Sequence, residues 1–117
     1  LYYKMPHIFW IGFYLLNEKR LSVGPYQGPL ACQELEYPKG VCWKSVINKS
    51  VIIVNNVEEF PDHIACDPRS KSEIVLPVIN KENVILGVLD VDSSQLKAFD
   101  TYDESGLSKI IDLLNLP

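Results

Sequence analysis

The stretch SEIVLPVINKENVILGVLDVDS, residues 72–93, is the part of the sequence that decides the fold. It contains two runs rich in β-branched and aliphatic residues, 73–79 and 84–91, separated by the polar tetrapeptide at 80–83. Two such runs around a short polar turn are typical of a β-hairpin. We therefore expect a pair of adjacent antiparallel strands in this part of the chain.

Two further strands, a helix and a short strand precede this hairpin. Residues 7–16 alternate well enough for a strand, the polar residues 17–20 form a turn, and 21–26 supply the return strand. Helical spacing at 40–48 and a β-branched run at 51–54 follow. This order predicts an α+β fold, in which helices flank a central, mainly antiparallel β-sheet.

Both predicted helices carry local signals. The expected buried stripe of the first helix consists of Val41, Val46 and Ile47. The second helix is predicted over 102–116, where Thr101 and Glu104 have the spacing of a capping box.

Length and charge restrict the classes of function. A chain of 117 residues is expected to form a single domain, 1–117. Its net charge of −4 and the lack of a basic patch argue against nucleic acid as a partner. No apolar run reaches the roughly 18 residues that cross a membrane, so no membrane partner is expected. Because the sequence enters a strand-like run almost at once, we expect an N-terminal helix to be missing.

The acidic residues in the second strand of the hairpin are the feature that a structural role explains least. Asp is depleted in strands, yet Asp90 and Asp92 share one strand face with Val88, while Leu89 and Val91 face the core. Paired carboxylates can bind an ammonium group or retain a proton for use as a general acid. The alternative is that Asp92 lies beyond the strand and caps the next turn.

Glu73 opens the first strand of the hairpin and could approach Asp90 and Asp92 across the pair. Its alternative is an ordinary exposed position at a strand start.

Aromatic residues flank a glycine in the first strand. Trp10, Gly12 and Tyr14 lie on one strand face, so the missing side chain is expected to leave a hollow between two rings. Such a hollow can accept a methyl group or a sulfur atom. Aromatic stripes on strands also occur simply as core, and this alternative stays open.

Three cysteines, Cys32, Cys42 and Cys66, cannot all pair within one chain. An odd number favours reduced thiols in the cytoplasm over a secreted disulfide framework. Cys42 lies near a predicted helix N-terminus, which can lower the pKa of a thiol. Cys66 lies in a long polar segment, 55–72, of a length typical of a functional loop or lid. With His63 it could also form half of a zinc site, although the sequence offers no evident second half.

Seven short motifs, in order, resemble the GAF-fold free methionine-(R)-sulfoxide reductases. They are WIGFY at 10–14, GPYQG at 24–28, AC at 31–32, KGVC at 39–42, FPDHIACD at 60–67, SEIVLP at 72–77 and GVLDVDS at 87–93. The motifs cover nearly the whole chain, and the cysteine intervals of ten and twenty-four residues fit the family.

The resemblance implies a GAF domain whose pocket holds free methionine (R)-S-oxide, not a peptide-bound residue. It implies Cys66 as the nucleophile, with Cys32 and Cys42 as candidate resolving cysteines. The implied substrate-binding residues are Trp10 and Tyr14 for the methyl end, and Glu73, Asp90 and Asp92 for the amino group and for protonation of the oxygen. Thioredoxin is the implied reductant, no cofactor or metal is expected, and the question of a homodimer stays open.

The resemblance has one departure inside the site region, because Trp43 follows Cys42 where the family usually has a small residue. We expect this ring to affect how freely the helix moves. The main alternative function is a non-catalytic GAF sensor that binds a small ligand, since most GAF domains do so. A redox-sensing module, in which the thiols form a disulfide without reducing a substrate, is the third.

Overall fold

The computed structural model, which describes residues 7–63 and 66–114, contains one sheet and two α-helices within those ranges. The elements are β1 (Ile8–Asn17), β2 (Arg20–Gln27), β3 (Glu34–Leu35), α1 (Gly40–Asn48), β4 (Ile52–Val54), β5 (Ser72–Ile79), β6 (Ile85–Ser93) and α2 (Thr101–Leu113). The strand order is β3-β2-β1-β6-β5-β4, and neighbouring strands are antiparallel. The predicted α+β class with an antiparallel sheet is confirmed.

The predicted hairpin forms the middle of the sheet. The Asn80 side-chain oxygen accepts hydrogen bonds from the backbone N–H groups of Glu82 and Val84, each at 2.9 Å, which fixes the turn. β6 then pairs with β5 on one side and with β1 on the other. The three strands that carry the predicted acidic and aromatic residues are therefore direct neighbours.

Each face of the sheet is covered by one helix. On one face, Leu107 of α2 packs against an apolar core that includes Ile74 of β5 and Val91 of β6. On the other face, Val41 and Trp43 of α1 pack in a second cluster. Because side chains alternate along a strand, the central strands supply buried residues to both clusters.

The bounds predicted for α1 are confirmed, but its predicted buried stripe is partly wrong. Ile47 is 56% exposed, whereas Cys42 and Trp43 are buried with Val41. The indole Nε1 of Trp43 donates a 2.9 Å hydrogen bond to the carbonyl of Leu35 in β3. The residues on either side of Cys42 are thus fixed in the core, which the helical spacing alone did not predict.

The capping box of α2 lies one residue earlier than predicted. Asp100, not Thr101, is the N-cap, and its carboxylate accepts from the backbone N–H groups of Tyr102 and Asp103. The Asp103 carboxylate accepts in return from the Asp100 N–H at 2.9 Å. The predicted helix end at 116 is wrong, because α2 ends at Leu113 with Leu114 as its C-cap. The region of the expected N-terminal helix lies outside the described residues.

Two short elements were not predicted. β3 has only two residues, too few for a periodic signal, and it pairs with β2 through Leu21 and Leu35. A 3₁₀ turn at Val57–Glu59 lies inside the predicted long loop. In the described ranges, neither α-helix is long and apolar enough to cross a membrane.

Candidate active site

Three carboxylates meet on the face of the sheet that α1 covers. Glu73 of β5 lies directly opposite Asp92 of β6, and Asp90 lies two residues before Asp92 on the same face. Glu73 and Asp90 are 6% and 5% exposed, and Asp92 is partly buried. Asp92 is a paired residue within the strand, so the alternative that it caps the following turn is wrong, as is an exposed strand start for Glu73.

Burial raises the pKa of two of these carboxyl groups, those of Asp90 and Asp92. Removal from water raises the pKa of Asp90 well above its ordinary value, and the nearby charges of Asp92, Glu73 and Cys42 raise it further. Burial, followed by the charge of Glu73, likewise raises the pKa of Asp92. Among the described residues, no group donates a hydrogen bond to Asp90 Oδ1. A ligand with N–H donors would satisfy that oxygen.

An aromatic wall stands beside the carboxylates. The ring of Trp10 stacks on Tyr14 at 5.7 Å and on Tyr26 at 5.3 Å between centroids. A Cβ atom at Gly12 would lie 2.6 Å from the Trp10 ring and 2.3 Å from Cβ of Tyr26. The predicted hollow at Gly12 is therefore wrong, because the glycine makes room for the indole itself. Trp10 and Tyr14 line the pocket, and Tyr26 supports the indole from the other side of the stack.

Tyr14 joins this wall to a cysteine segment. Its hydroxyl donates a 3.1 Å hydrogen bond to the carbonyl of Cys32. Burial and the charge of Asp90 raise the pKa of Tyr14, so the hydroxyl stays a proton donor at any ordinary pH.

Two of the three cysteines form a disulfide. Cys32 and Cys66 are bonded, with their Cα atoms 5.5 Å apart and 34 residues between them in sequence. Cys66 lines the same pocket as Glu73, Asp90 and Asp92. The zinc half-site suggested by His63 and Cys66 is not formed in this state, because the Cys66 sulfur is bonded to Cys32.

Cys42 has a different setting from the other two cysteines. It is a free thiol, buried in α1 at the inner side of the pocket. Burial, together with the charges of Glu73 and Asp92, raises its pKa well above the ordinary value. The expectation that the helix N-terminus lowers this pKa is wrong, since the cost of removing a thiolate from water outweighs the helix dipole.

The loop that carries Cys66 is attached to the sheet by charged and aromatic contacts. Arg69 forms a two-contact ion pair with Asp67, at 2.6 and 3.0 Å, which lowers the pKa of the Asp67 carboxyl. The Arg69 guanidinium also lies 5.3 Å from the ring centre of Phe9 in β1. Ser70 Oγ lies 3.5 Å from Asp92 Oδ1. These contacts place Cys66 above the acidic floor.

His63 is a site residue to which sequence reasoning gave no role in substrate binding. Its Nε2 lies 3.8 Å from Glu73 Oε1, and it lines the pocket. Lys39 at the start of α1 and Tyr26 in the aromatic wall were also missed. The only sequence signal for His63 was its position three residues before Cys66, and Tyr26 lies in the second of the seven motifs.

The structure therefore gathers all eight predicted site residues around one pocket. Seven of them line it directly: Trp10, Tyr14, Cys42, Cys66, Glu73, Asp90 and Asp92. The eighth, Cys32, joins through its disulfide to Cys66. A redox pair at the rim, a proton-retaining acidic floor and an aromatic wall are the chemical resources of this site.

Comparison with known proteins agrees with this arrangement. Residues 7–114 match the family profile described as GAF domain. A free methionine-R-sulfoxide reductase of Escherichia coli is 44% identical over 111 residues, which cover 95% of this chain and 67% of that protein. This chain belongs to the GAF-domain free methionine-R-sulfoxide reductase family.

Other relatives place the chain in the same family. GAF domain-containing protein A of Dictyostelium discoideum is 48% identical over 110 residues, covering 93% of this chain and 69% of that protein. The X-ray structure of free methionine-R-sulfoxide reductase from Neisseria meningitidis in complex with its substrate has a TM-score of 0.86 and 39% identity, covering 92% of this chain and 65% of that one. The chain thus spans about two thirds of the length of these relatives. The predicted family and GAF fold are confirmed.

Proposed function

We propose that this chain reduces free methionine (R)-S-oxide to methionine, through a cysteine sulfenic acid and an intramolecular disulfide. The observation that carries the proposal is the placement of Cys66, bonded to Cys32, on the pocket whose floor is Glu73, Asp90 and Asp92. The relatives add support, since the free methionine-R-sulfoxide reductase from Neisseria meningitidis was solved in complex with its substrate.

The acidic floor selects a free amino acid. A free substrate carries an ammonium group, which three carboxyl groups can hold through charge-assisted hydrogen bonds. The unpartnered Oδ1 of Asp90 is available as one acceptor. A peptide-bound methionine sulfoxide has no ammonium at this position, so it would leave the buried carboxyl groups without a cation. The sulfoxide methyl group packs on Trp10 and Tyr14.

The first chemical step transfers oxygen from the substrate to the enzyme. The Cys66 thiolate attacks the sulfoxide sulfur while Asp90 or Asp92 donates a proton to the oxygen. Both carboxyl groups retain protons above their usual range because they are buried together. The oxygen passes from the substrate sulfur to the Cys66 sulfur: the sulfur–oxygen bond of the substrate breaks, a sulfur–oxygen bond forms on Cys66, methionine leaves with the electron pair, and Cys66 becomes a sulfenic acid.

The second step forms the disulfide and releases water. The Cys32 thiol condenses with the Cys66 sulfenic acid, which gives the sulfur–sulfur bond and one water molecule. The pairing in the structure supports Cys32 as the resolving cysteine. Cys42 stays protonated because of its burial, which makes it a poor partner in thiol exchange.

A third step restores the thiols. An external dithiol reduces the disulfide and becomes a disulfide itself, so that the net reaction consumes one dithiol and one sulfoxide. We propose thioredoxin as this dithiol and the cytoplasm as the compartment that keeps it reduced. Cys66 is exposed, and Leu30, near Cys32, is a large exposed apolar residue. Both features suit contact with a protein reductant.

The test is a thioredoxin-coupled assay of NADPH oxidation on the reduced chain. We expect turnover with free methionine (R)-S-oxide, and none with the (S)-epimer or with a peptide-bound sulfoxide as the matched control substrates. The Cys66→Ser variant should release no methionine in a single turnover. A reduced, folded wild-type chain that does not turn over the free (R)-epimer would contradict the proposal. A chain that forms its disulfide with peroxide but ignores the sulfoxide would instead be a redox sensor.

A further inference from the structure

The inner wall of the pocket contains a group of donor atoms that the reductase cycle does not use as a unit. The Cys42 sulfur, a Glu73 carboxylate oxygen and an Asp90 carboxylate oxygen all lie within 4.8 Å of one another. All three residues are buried, and all three line the pocket. The cycle needs Cys32 and Cys66 for the disulfide, which leaves the Cys42 thiol free in the oxidised chain.

The set of donor atoms favours one class of cation. A thiolate with two carboxylates suits a borderline-soft divalent ion such as Zn²⁺, whereas Mg²⁺ and Ca²⁺ take oxygen ligands. Zinc–sulfur bonds of about 2.3 Å and zinc–oxygen bonds of about 2.0 Å hold ligand atoms no more than about 4.3 Å apart, and three donor atoms within 4.8 Å of one another are compatible with that spacing. Three protein ligands leave a fourth position open towards the pocket.

A separate observation also points to a cation at this position. Asp90 Oδ1 is buried, and among the described residues it accepts no hydrogen bond. Within residues 7–63 and 66–114, the salt bridges of Cys42, Glu73 and Asp90 are limited to one long contact of 3.8 Å between His63 and Glu73. A buried acceptor that lacks a partner is expected to receive one from a ligand.

We propose that Cys42, Glu73 and Asp90 bind a thiophilic divalent cation of the Zn²⁺ class, and that this cation excludes the substrate. Binding replaces the thiol proton of Cys42 and any proton on the Asp90 carboxyl, and these protons pass to solvent. The exclusion rests on the proposed function, because the cation occupies the carboxylates that hold the substrate ammonium. The ligands differ from the His63 and Cys66 pair that the sequence spacing had suggested.

The experiment uses the oxidised full chain, in which the Cys32–Cys66 disulfide leaves Cys42 as its free thiol. Titration with Co²⁺ should produce one equivalent of thiolate-to-cobalt charge-transfer absorption, which Zn²⁺ abolishes by displacement. The Cys42→Ser variant should lose this band. Asp90→Asn should weaken binding by at least about 100-fold, since removing even an outer partner of a metal ligand costs about 10–100-fold. The exposed Glu34→Gln is the matched control, with no change expected.

The possible results separate this inference from the proposed function. A wild-type chain without the band would overturn the metal site, as would a band that persists in Cys42→Ser or an affinity unchanged in Asp90→Asn. Near-ultraviolet circular dichroism of each variant confirms its fold. Free methionine, the reaction product, should weaken the apparent cobalt affinity, and no such effect would overturn the exclusion. If the chain binds the metal but shows no turnover in the coupled assay, the result supports the metal site and contradicts the proposed reductase function.

Discussion

The two faces of the central sheet differ sharply in composition although the same two strands, β5 and β6, contribute to both. On the α2 face, β5 and β6 place Ile74, Leu76, Leu89 and Val91 in an apolar core. On the α1 face, the alternate positions of the same strands carry the carboxyl groups of the pocket. Strand alternation thus lets one hairpin supply stability on one side and a binding site on the other.

The two faces make opposite contributions to the free energy of folding. Removing apolar side chains from water stabilises the fold, by about 25 cal/mol for each Å² buried. Burying carboxyl groups near one another opposes folding unless they take up protons or a cation. The fold is therefore less stable with carboxyl groups on the α1 face than it would be with apolar side chains at the same positions. Such a loss of stability is common at functional sites.

The largest effect is expected from damage to the apolar face. Leu76→Ala should lower the free energy of unfolding by about 2–5 kcal/mol, because it removes a side chain that is 1% exposed and leaves a cavity. Urea denaturation measures this. The exposed Leu113→Ala is the matched control and should change stability by less than about 0.5 kcal/mol. If Leu76→Ala lowered kcat/KM of the folded fraction as strongly as it lowered stability, the two faces would not be functionally separate.

The next effect is expected on the acidic face, in activity and not in stability. Glu73→Gln keeps the shape of the side chain but removes the charge that we propose holds the substrate ammonium. A charged hydrogen bond contributes about 1.5–3 kcal/mol, so kcat/KM should fall by about 10–150-fold. Steady-state kinetics checks this, with the exposed Glu34→Gln as the control carboxylate. Unchanged kcat/KM in Glu73→Gln would remove Glu73 from the site.

The smallest effect concerns the pH dependence of stability. Folding raises the pKa of Asp90 from its ordinary value of 3.8, so the native state binds its proton more tightly than the unfolded chain. Its contribution to stability is therefore fully present below about pH 4 and is lost as the pH rises through the raised pKa. Asp90→Asn removes this loss. The variant should therefore be more stable than wild type at neutral pH, because an amide has no carboxylate charge to bury.

Urea denaturation across the acidic to neutral range measures this gain. The difference between Asp90→Asn and wild type should grow as the pH rises, while the variant loses activity. A variant that is less stable than wild type at neutral pH, with the same pH dependence, would show that burial of the Asp90 carboxyl does not oppose folding.

Much of this arrangement follows from sequence patterns alone. Hydrophobic periodicity predicted the central hairpin and α1, because long regular patterns dominate over local noise. The motifs likewise contain the eight residues that the structure gathers around one pocket. The pattern did not resolve which of two adjacent residues caps α2, since Asp100 and Thr101 are both good N-caps.

Features that depend on packing between distant segments escaped prediction. The space above Gly12 is filled by Trp10 and Tyr26, and Tyr26 comes from the neighbouring strand. The high pKa of Cys42 likewise arises from its burial in the folded chain and from the charges of carboxyl groups on β5 and β6. The pairing of Cys32 with Cys66 could not be derived either, because sequence spacing carries no distance between the loops that hold them.

The most direct test of the account is the disulfide connectivity of the reduced chain after a single turnover with free methionine (R)-S-oxide. Peptide mass spectrometry after blocking of free thiols would assign each cysteine. We predict one equivalent of methionine, a disulfide between Cys32 and Cys66, and Cys42 recovered as a free thiol. Release of methionine with Cys42 in the disulfide, or no methionine at all, would contradict it.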